Sequence, residues 1–154
     1  MLTQHNRRVI ALATAFLALA AVTALARQTP ADDARLKKLD AGTKVINVAQ
    51  YPAEQQKSYK LFQEKCSTCH PVSRGVNTEM VLPGDWERYI KRMMYKPNSG
   101  MSSTDGQALY RFLTYDASVR KIDLLRKALA GLPAGDRAIA VEKIKALNPG
   151  FVPQ

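Results

Sequence analysis

Apolar positions along this 154-residue chain fall into three patterns. The first is a continuous run from Val9 to Ala26, broken only by Thr14 and Thr23. The second is a set of stripes at helical spacing. Trp86, Tyr89, Ile90, Met93 and Met94 recur at i, i+3, i+4, i+7 and i+8, with Arg88, Lys91 and Arg92 on the opposite face. This predicts an amphipathic helix with Asp85 as its N-cap, entered from Pro83-Gly84 and stopped by Lys96-Pro97-Asn98-Ser99-Gly100. Ser102-Ser103-Thr104-Asp105 reads as the start of a further helix. Val119, Ile122, Leu125, Ala128 and Leu129 make another stripe, broken by Gly131-Leu132-Pro133. Ala138, Val141, Ile144 and Leu147 make the last, stopped by Pro149-Gly150. Residues 117–154 therefore read as a helical hairpin. The third pattern is a polar stretch over 27–52 with Pro30, Gly42 and few large apolar groups, read as a flexible segment that would, as a lesser alternative, tether a docking partner. Strand-like alternation and internal repeats are absent from the sequence, so the expected class is all-α.

The first pattern is a targeting segment. Arg7 and Arg8 precede the run, no acid appears before Asp32, and Ala24-Leu25-Ala26 fits a small-residue cleavage site. Residues 1–26 are expected to be a secretory signal cut before Arg27. The competing reading is an uncut anchor, since eighteen helical residues reach about 27 Å, close to a bilayer core. The alanine-rich run is weakly hydrophobic, which favours the signal. Either way the rest of the chain crosses a membrane. The expected location is the periplasm, or the periplasmic face of the inner membrane if the anchor stays.

Composition, at 46% hydrophobic and 23% charged, suits one globular domain and excludes a disordered or collagen-like chain. The net charge of +10 first suggests nucleic acid, an anionic membrane surface or an acidic protein. Two of those charges, Arg7 and Arg8, belong to the leader, so the remainder carries +8. The basic residues that remain, such as Lys57, Lys60, Arg88, Lys91, Arg120 and Arg126, are spread over helix faces without a nucleic-acid signature. An acidic protein partner outside the cytoplasm is the expected counterpart, and nucleic acid is not.

Past the leader, Cys66, Cys69 and His70 are the only cysteines and histidine, and they lie within Cys66-Ser67-Thr68-Cys69-His70. C-x-x-C-H is the attachment signature for c-type haem. Two thiols three residues apart on a helical turn can each add to one vinyl group of a porphyrin, and the next residue aims its imidazole at the iron. A plain Cys66–Cys69 disulfide is chemically open to an exported protein, and a redox dithiol would need a βαβ context that this sequence lacks. Zinc needs four ligands where only three are present. One covalent haem c is the expected cofactor. With His70 as the only histidine past the leader, the second axial ligand falls to Met80, Met93, Met94 or Met101, to a less usual group such as lysine, or to nothing. Met93 is preferred, near the far end of an amphipathic helix suited to face the haem. Met101, in the loop after Gly100, is the main rival, followed by Met94.

At these residues the chain resembles monohaem cytochromes c of the class I type, over about 55–115. Tyr59-Lys60-Leu61-Phe62-Gln63-Glu64-Lys65 resembles the N-terminal helix of that family, in which an aromatic residue packs on the final helix. Gln107-Ala108-Leu109-Tyr110-Arg111-Phe112-Leu113 resembles that final helix, which puts Leu109, Phe112 and Leu113 toward the core. Trp86-Glu87-Arg88-Tyr89-Ile90-Lys91-Arg92-Met93 resembles the W-x(6)-M element of a bacterial subgroup whose methionine is the apparent iron ligand, which implies Met93; Arg74 matches that subgroup too. The spacing from His70 to Met101 is shorter than in most of the class, and the usual Met-Pro loop is missing. The resemblance implies a small cytochrome c fold over 53–116 around one covalent haem, with the hairpin appended. The expected function is periplasmic electron transfer through His/Met-ligated haem to redox proteins with acidic docking surfaces, with no catalytic constellation beyond the haem. Two other expectations stand beside it: the haem subunit of a larger membrane or periplasmic oxidoreductase, and a gas-binding protein with five-coordinate iron.

Overall fold

The computed structural model describes residues 29–153, and the leader expected over 1–26 lies outside them. Seven helices and no strand occur among the described residues: α1 Pro30–Ala41, α2 Ala53–Cys66, α3 Ser73–Asn77, α4 Pro83–Met94, α5 Ser103–Arg120, α6 Ile122–Ala130 and α7 Ala134–Leu147. The class is all-α, as the periodicity predicts. The chain divides into two units, 1–37 and 38–154. In the first, most of α1 forms without burying a residue. It is held locally: the Asp32 amide donates to Thr29 Oγ1 (3.2 Å) while the Thr29 amide donates to the Asp32 carboxylate (3.1 Å), a reciprocal cap.

In the second unit, α5 is the hub, packing against α2, α4, α6 and α7. Leu109, Phe112 and Leu113 form its inner face, fully buried as the sequence implies. Phe112 meets Tyr59 and Phe62 of α2 at 5.5 Å each between ring centroids, and these tilted contacts form the centre of the core. Gly75 on α3 is required here, because a Cβ at that position would lie 2.9 Å from the Phe62 ring. The start of α5 carries a full capping box, with Ser102 and Asp105 each satisfying the other's amide. Helix α4 begins earlier than expected. Leu82 is the N-cap and Pro83 occupies the first turn, where its fixed φ and missing N–H suit a helix start, so Asp85 falls inside the helix and pairs with Arg88 rather than capping it.

Two regions differ from the sequence expectation. Residues 38–52 are not a loose lead. Ile46 and Tyr51 are buried, the Ile46 amide donates to Tyr59 Oη (2.9 Å), and Tyr51 Oη donates to the buried Asp116 carboxylate (2.9 Å). Sparse apolar residues gave no periodic signal, and long-range polar bonds supply the order instead. The hairpin packs against the preceding helices, but its boundary differs, since α5 runs through the expected break at 116/117. Leu125, Leu129, Ala140 and Ile144 of α6 and α7 share one core with Ala117 of α5, Val81 and Phe151. Val119 and Ala138, expected on the inner stripes, are exposed. Arg137 closes the hairpin turn by donating to the carbonyls of Leu129, Ala130 and Leu132, all at 3.0 Å.

Candidate functional site

The Cys66–His70 segment leaves the last turn of α2 and enters α3 through a braced corner. Ser73 Oγ donates to the Asp40 carbonyl (2.7 Å), Arg74 donates through Nε to the Asp40 carboxylate (2.8 Å), and Asn77 Nδ2 donates to the Thr43 (2.9 Å) and Ser73 (2.8 Å) carbonyls. The Arg74 guanidinium holds the Asp40 carboxyl below the usual carboxylate range. The residue four past His70 therefore positions the segment and does not enter the site.

On the other side, the chain after α4 turns back through Asn98 and Gly100, both with left-handed φ near 60° (61° and 58°). Lys65 Nζ donates to the Gly100 carbonyl (3.2 Å), tying this loop to the end of α2, and pairs with Asp105 at 3.5 Å. The turn brings Met101 to the same small cavity as the C-x-x-C-H segment. That cavity, about 30 Å³, is lined by Cys66, Cys69, His70, Tyr89, Met93 and Met101, with Lys65, Lys96 and Ser99 at its edge.

The methionines are thereby sorted. Met93, the preferred ligand, and Met101, its rival, both line this cavity. Met94 does not: its sulfur lies against Gly106, where a Cβ would come within 2.4 Å of it, and it lines a different cavity. Met80 packs against the core cluster of Tyr59, Phe62 and Phe112.

His70 Nδ1 lies 3.0 Å from the Pro71 carbonyl oxygen. A carbonyl only accepts, so the proton sits on Nδ1 and the lone pair on Nε2. Tyr89 Oη donates to that Nε2 at 3.3 Å. The tyrosine ring packs edge-on against Trp86 (6.1 Å) and carries the Arg92 guanidinium on its face (5.4 Å). Burial pushes the Tyr89 phenol up, and the neighbouring Cys66 adds to the shift. Both cysteines are free thiols. They differ in setting: burial pushes the Cys66 thiol up to about 12, whereas Cys69 is exposed.

This donor set matches what a c-type haem takes, namely two thiols, an imidazole lone pair and a thioether on the facing element. The space is not preformed. A cavity of about 30 Å³ holds little more than one water. Cys69 at its border is exposed, and Tyr89 would have to leave His70 Nε2 before that nitrogen could ligate iron. The residues fit the group once that hydroxyl moves aside. Among the described residues there is no cluster of three or more His, Cys, Asp and Glu able to hold a bare metal ion.

Tyr89 is the site residue that the sequence pattern counted only as part of an apolar stripe. Its spacing of four from Met93 places both on one face of α4, which was the available signal. The chain was compared with known proteins at three levels: no family model, no curated protein and no solved structure matches it.

Proposed function

We propose that this protein is an exported electron carrier of cytochrome c type, holding one covalent haem c through Cys66 and Cys69, with His70 as one axial ligand and Met93 as the other. The observation that carries the reading is the convergence of Cys66, Cys69, His70, Met93 and Met101 on one cavity between the end of α2, the face of α4 and the loop before α5. Residues separated in sequence by as many as 35 positions, Lys65 and Gly100, are tied together at that point. When bound, a haem supplies a one-electron Fe(III)/Fe(II) couple whose potential methionine ligation raises.

The chain's own residues prepare for this role. The Pro71 carbonyl fixes the tautomer of His70, leaving Nε2 as the ligating nitrogen. Cys69 is the exposed thiol and Cys66 beside it is half-buried, so the two thiols stand at different depths in one segment. The Asp40–Arg74 pair braces the corner after His70, so the imidazole is held by a rigid segment. Lys65 and Lys96 at the cavity edge, with Arg92 over Tyr89, put positive charge where an acidic redox partner would dock, giving fast, salt-sensitive encounters.

Met93 is preferred over Met101 because it stands on a helix, one turn from Tyr89, whereas Met101 stands on a loop. The test is the far-red thioether–Fe(III) charge-transfer band of the oxidised protein. Wild type is expected to show it, Met93→Ala to lose it and Met101→Ala to keep it. The reverse pattern makes Met101 the ligand. High-spin Fe(III) with rapid CO binding in wild type contradicts the carrier reading.

A further inference from the structure

The neighbouring Ile90–Met94 side of α4 borders a second cavity, of about 590 Å³, between α4, α5 and α7. Its size falls within the range of small-molecule sites. Ile90, Met94, Tyr110 and Leu147 form apolar walls, and Tyr95, 86% exposed, stands at its end. The floor is pliable, since Gly106 leaves the space into which the flexible Met94 thioether sits. The charged lining residues, Glu87, Lys91 and Lys143, are all at least partly exposed. Glu87 of α4 accepts from Lys91 Nζ (3.1 Å) on its own helix and from Lys143 Nζ (3.3 Å) on α7, so this pairing links the two helices. Two ammonium groups share one carboxylate there. Each has three donors and gives one to Glu87, leaving unspent donors and an excess of one positive charge.

We infer that this cavity binds a single amphiphile with an apolar body and one anionic head group, of fatty-acid type, with the head on Lys91 and Lys143 and the body against Ile90, Met94 and Leu147. The walls match the body and the two lysines match the head. None of the lining residues is a cysteine or histidine, and none also lines the C-x-x-C-H cavity, so the two cavities are distinct.

The test uses the purified mature protein as exported and isothermal titration with dodecanoate and with dodecanol, each below its micellar range. Three proteins are compared: wild type, Ala146→Trp and the double variant Lys91→Gln/Lys143→Gln. Ala146 lines the cavity from an exposed position on α7, so tryptophan there obstructs the space without disturbing the core, and far-UV circular dichroism checks the fold. Wild type is expected to bind one dodecanoate saturably. Ala146→Trp should weaken both ligands by at least about tenfold, and the lysine variant should weaken dodecanoate about tenfold while leaving dodecanol unchanged. Absence of saturable binding by wild type, or an unchanged isotherm in Ala146→Trp, overturns the proposal. So does equal weakening of acid and alcohol in the lysine variant. A wild-type dimer that Ala146→Trp converts to monomer assigns the groove to a second copy instead, and binding to anionic phosphatidylglycerol vesicles without binding to free dodecanoate assigns it to a membrane surface; either result overturns the proposal.

Discussion

Helix α4 separates two unlike places. On its Tyr89–Met93 face, thiols, an imidazole and thioethers converge on a cavity of about 30 Å³. On its Ile90–Met94 face, a cavity of about 590 Å³ carries no soft metal ligand beyond the Met94 thioether, which lies against Gly106. One side has donors without room, and the other has room without a donor set. Adjacent residues on one helix, Met93 and Met94, thus differ completely in what they can do. The offset of about 100° per residue in an α-helix is enough to send one thioether to the site and the other to the α5 packing surface. Residue type alone does not place a thioether at the C-x-x-C-H cavity; the helix face does.

The comparison breaks first at the thiols. Replacing Cys66 and Cys69 together by alanine should abolish covalent haem entirely, as read by haem staining after denaturing electrophoresis. It should leave dodecanoate binding on the other face of α4 unchanged. Loss of both properties at once would mean that the two faces are not independent.

Ile90→Ala attacks the Ile90–Met94 side. Ile90 is buried where α4 meets α5, so truncation leaves a cavity and should cost about 2–4 kcal/mol of unfolding free energy in denaturant titration. The variant should still carry covalent haem, because none of the C-x-x-C-H donors rests on that contact.

The N-terminal end of α4 offers a pH test. Lys121 Nζ donates to the Thr78 carbonyl (2.7 Å) and lies 6.0 Å from the Trp86 ring centroid. Burial, aided by Arg120, lowers its pKa to about 8 from an ordinary 10.5. Between those values the unfolded chain holds the proton that the folded chain releases, so stability should rise with pH across this window and fall as pH drops toward 8. A gain of about 1–2 kcal/mol from pH 8 to pH 10 is expected, and Lys121→Met should flatten it. Tyr51 works in the other direction: burial beside Asp116 raises its phenol, so its contribution is lost only above pH 10.

The smallest effect concerns Tyr89. Tyr89→Phe removes one hydrogen bond to His70 Nε2 and should destabilise the haem-free protein by about 0.5–1.5 kcal/mol. It should also expose Nε2 to added imidazole-binding metal ions such as Ni(II), read as tighter binding by titration. Unchanged metal binding would show that Tyr89 does not mask the nitrogen.

Much of this arrangement was legible in the sequence for definable reasons. Cys66, Cys69 and His70 are adjacent, so their spacing carries their chemistry without any fold. Helix α4 was legible because Trp86 and Ile90 lie on a stripe that packing demands, and the start of α5 was legible at Ser102–Asp105, while the inward set Leu109, Phe112 and Leu113 came from the family resemblance. Helix α1 was not, since it buries nothing and rests on the Thr29–Asp32 cap. Nor was the order of Ile46 and Tyr51, which depends on partners 13 and 65 positions away. The choice among methionines stayed open because Met93 and Met94 share one broad stripe, and it takes the packing of α5, with Gly106 against the Met94 sulfur, to show which one turns away from the C-x-x-C-H cavity. The larger cavity depends on where α7 comes to rest against α4, which local pattern does not encode.

The central claim is covalent haem at Cys66 and Cys69, and mass spectrometry of the protein purified from a host that exports and matures cytochromes c tests it most directly. The account predicts an intact mass increased by one haem, carried on the peptide that contains Cys66 through His70. An unmodified mass with two free thiols, or with a Cys66–Cys69 disulfide, would contradict it.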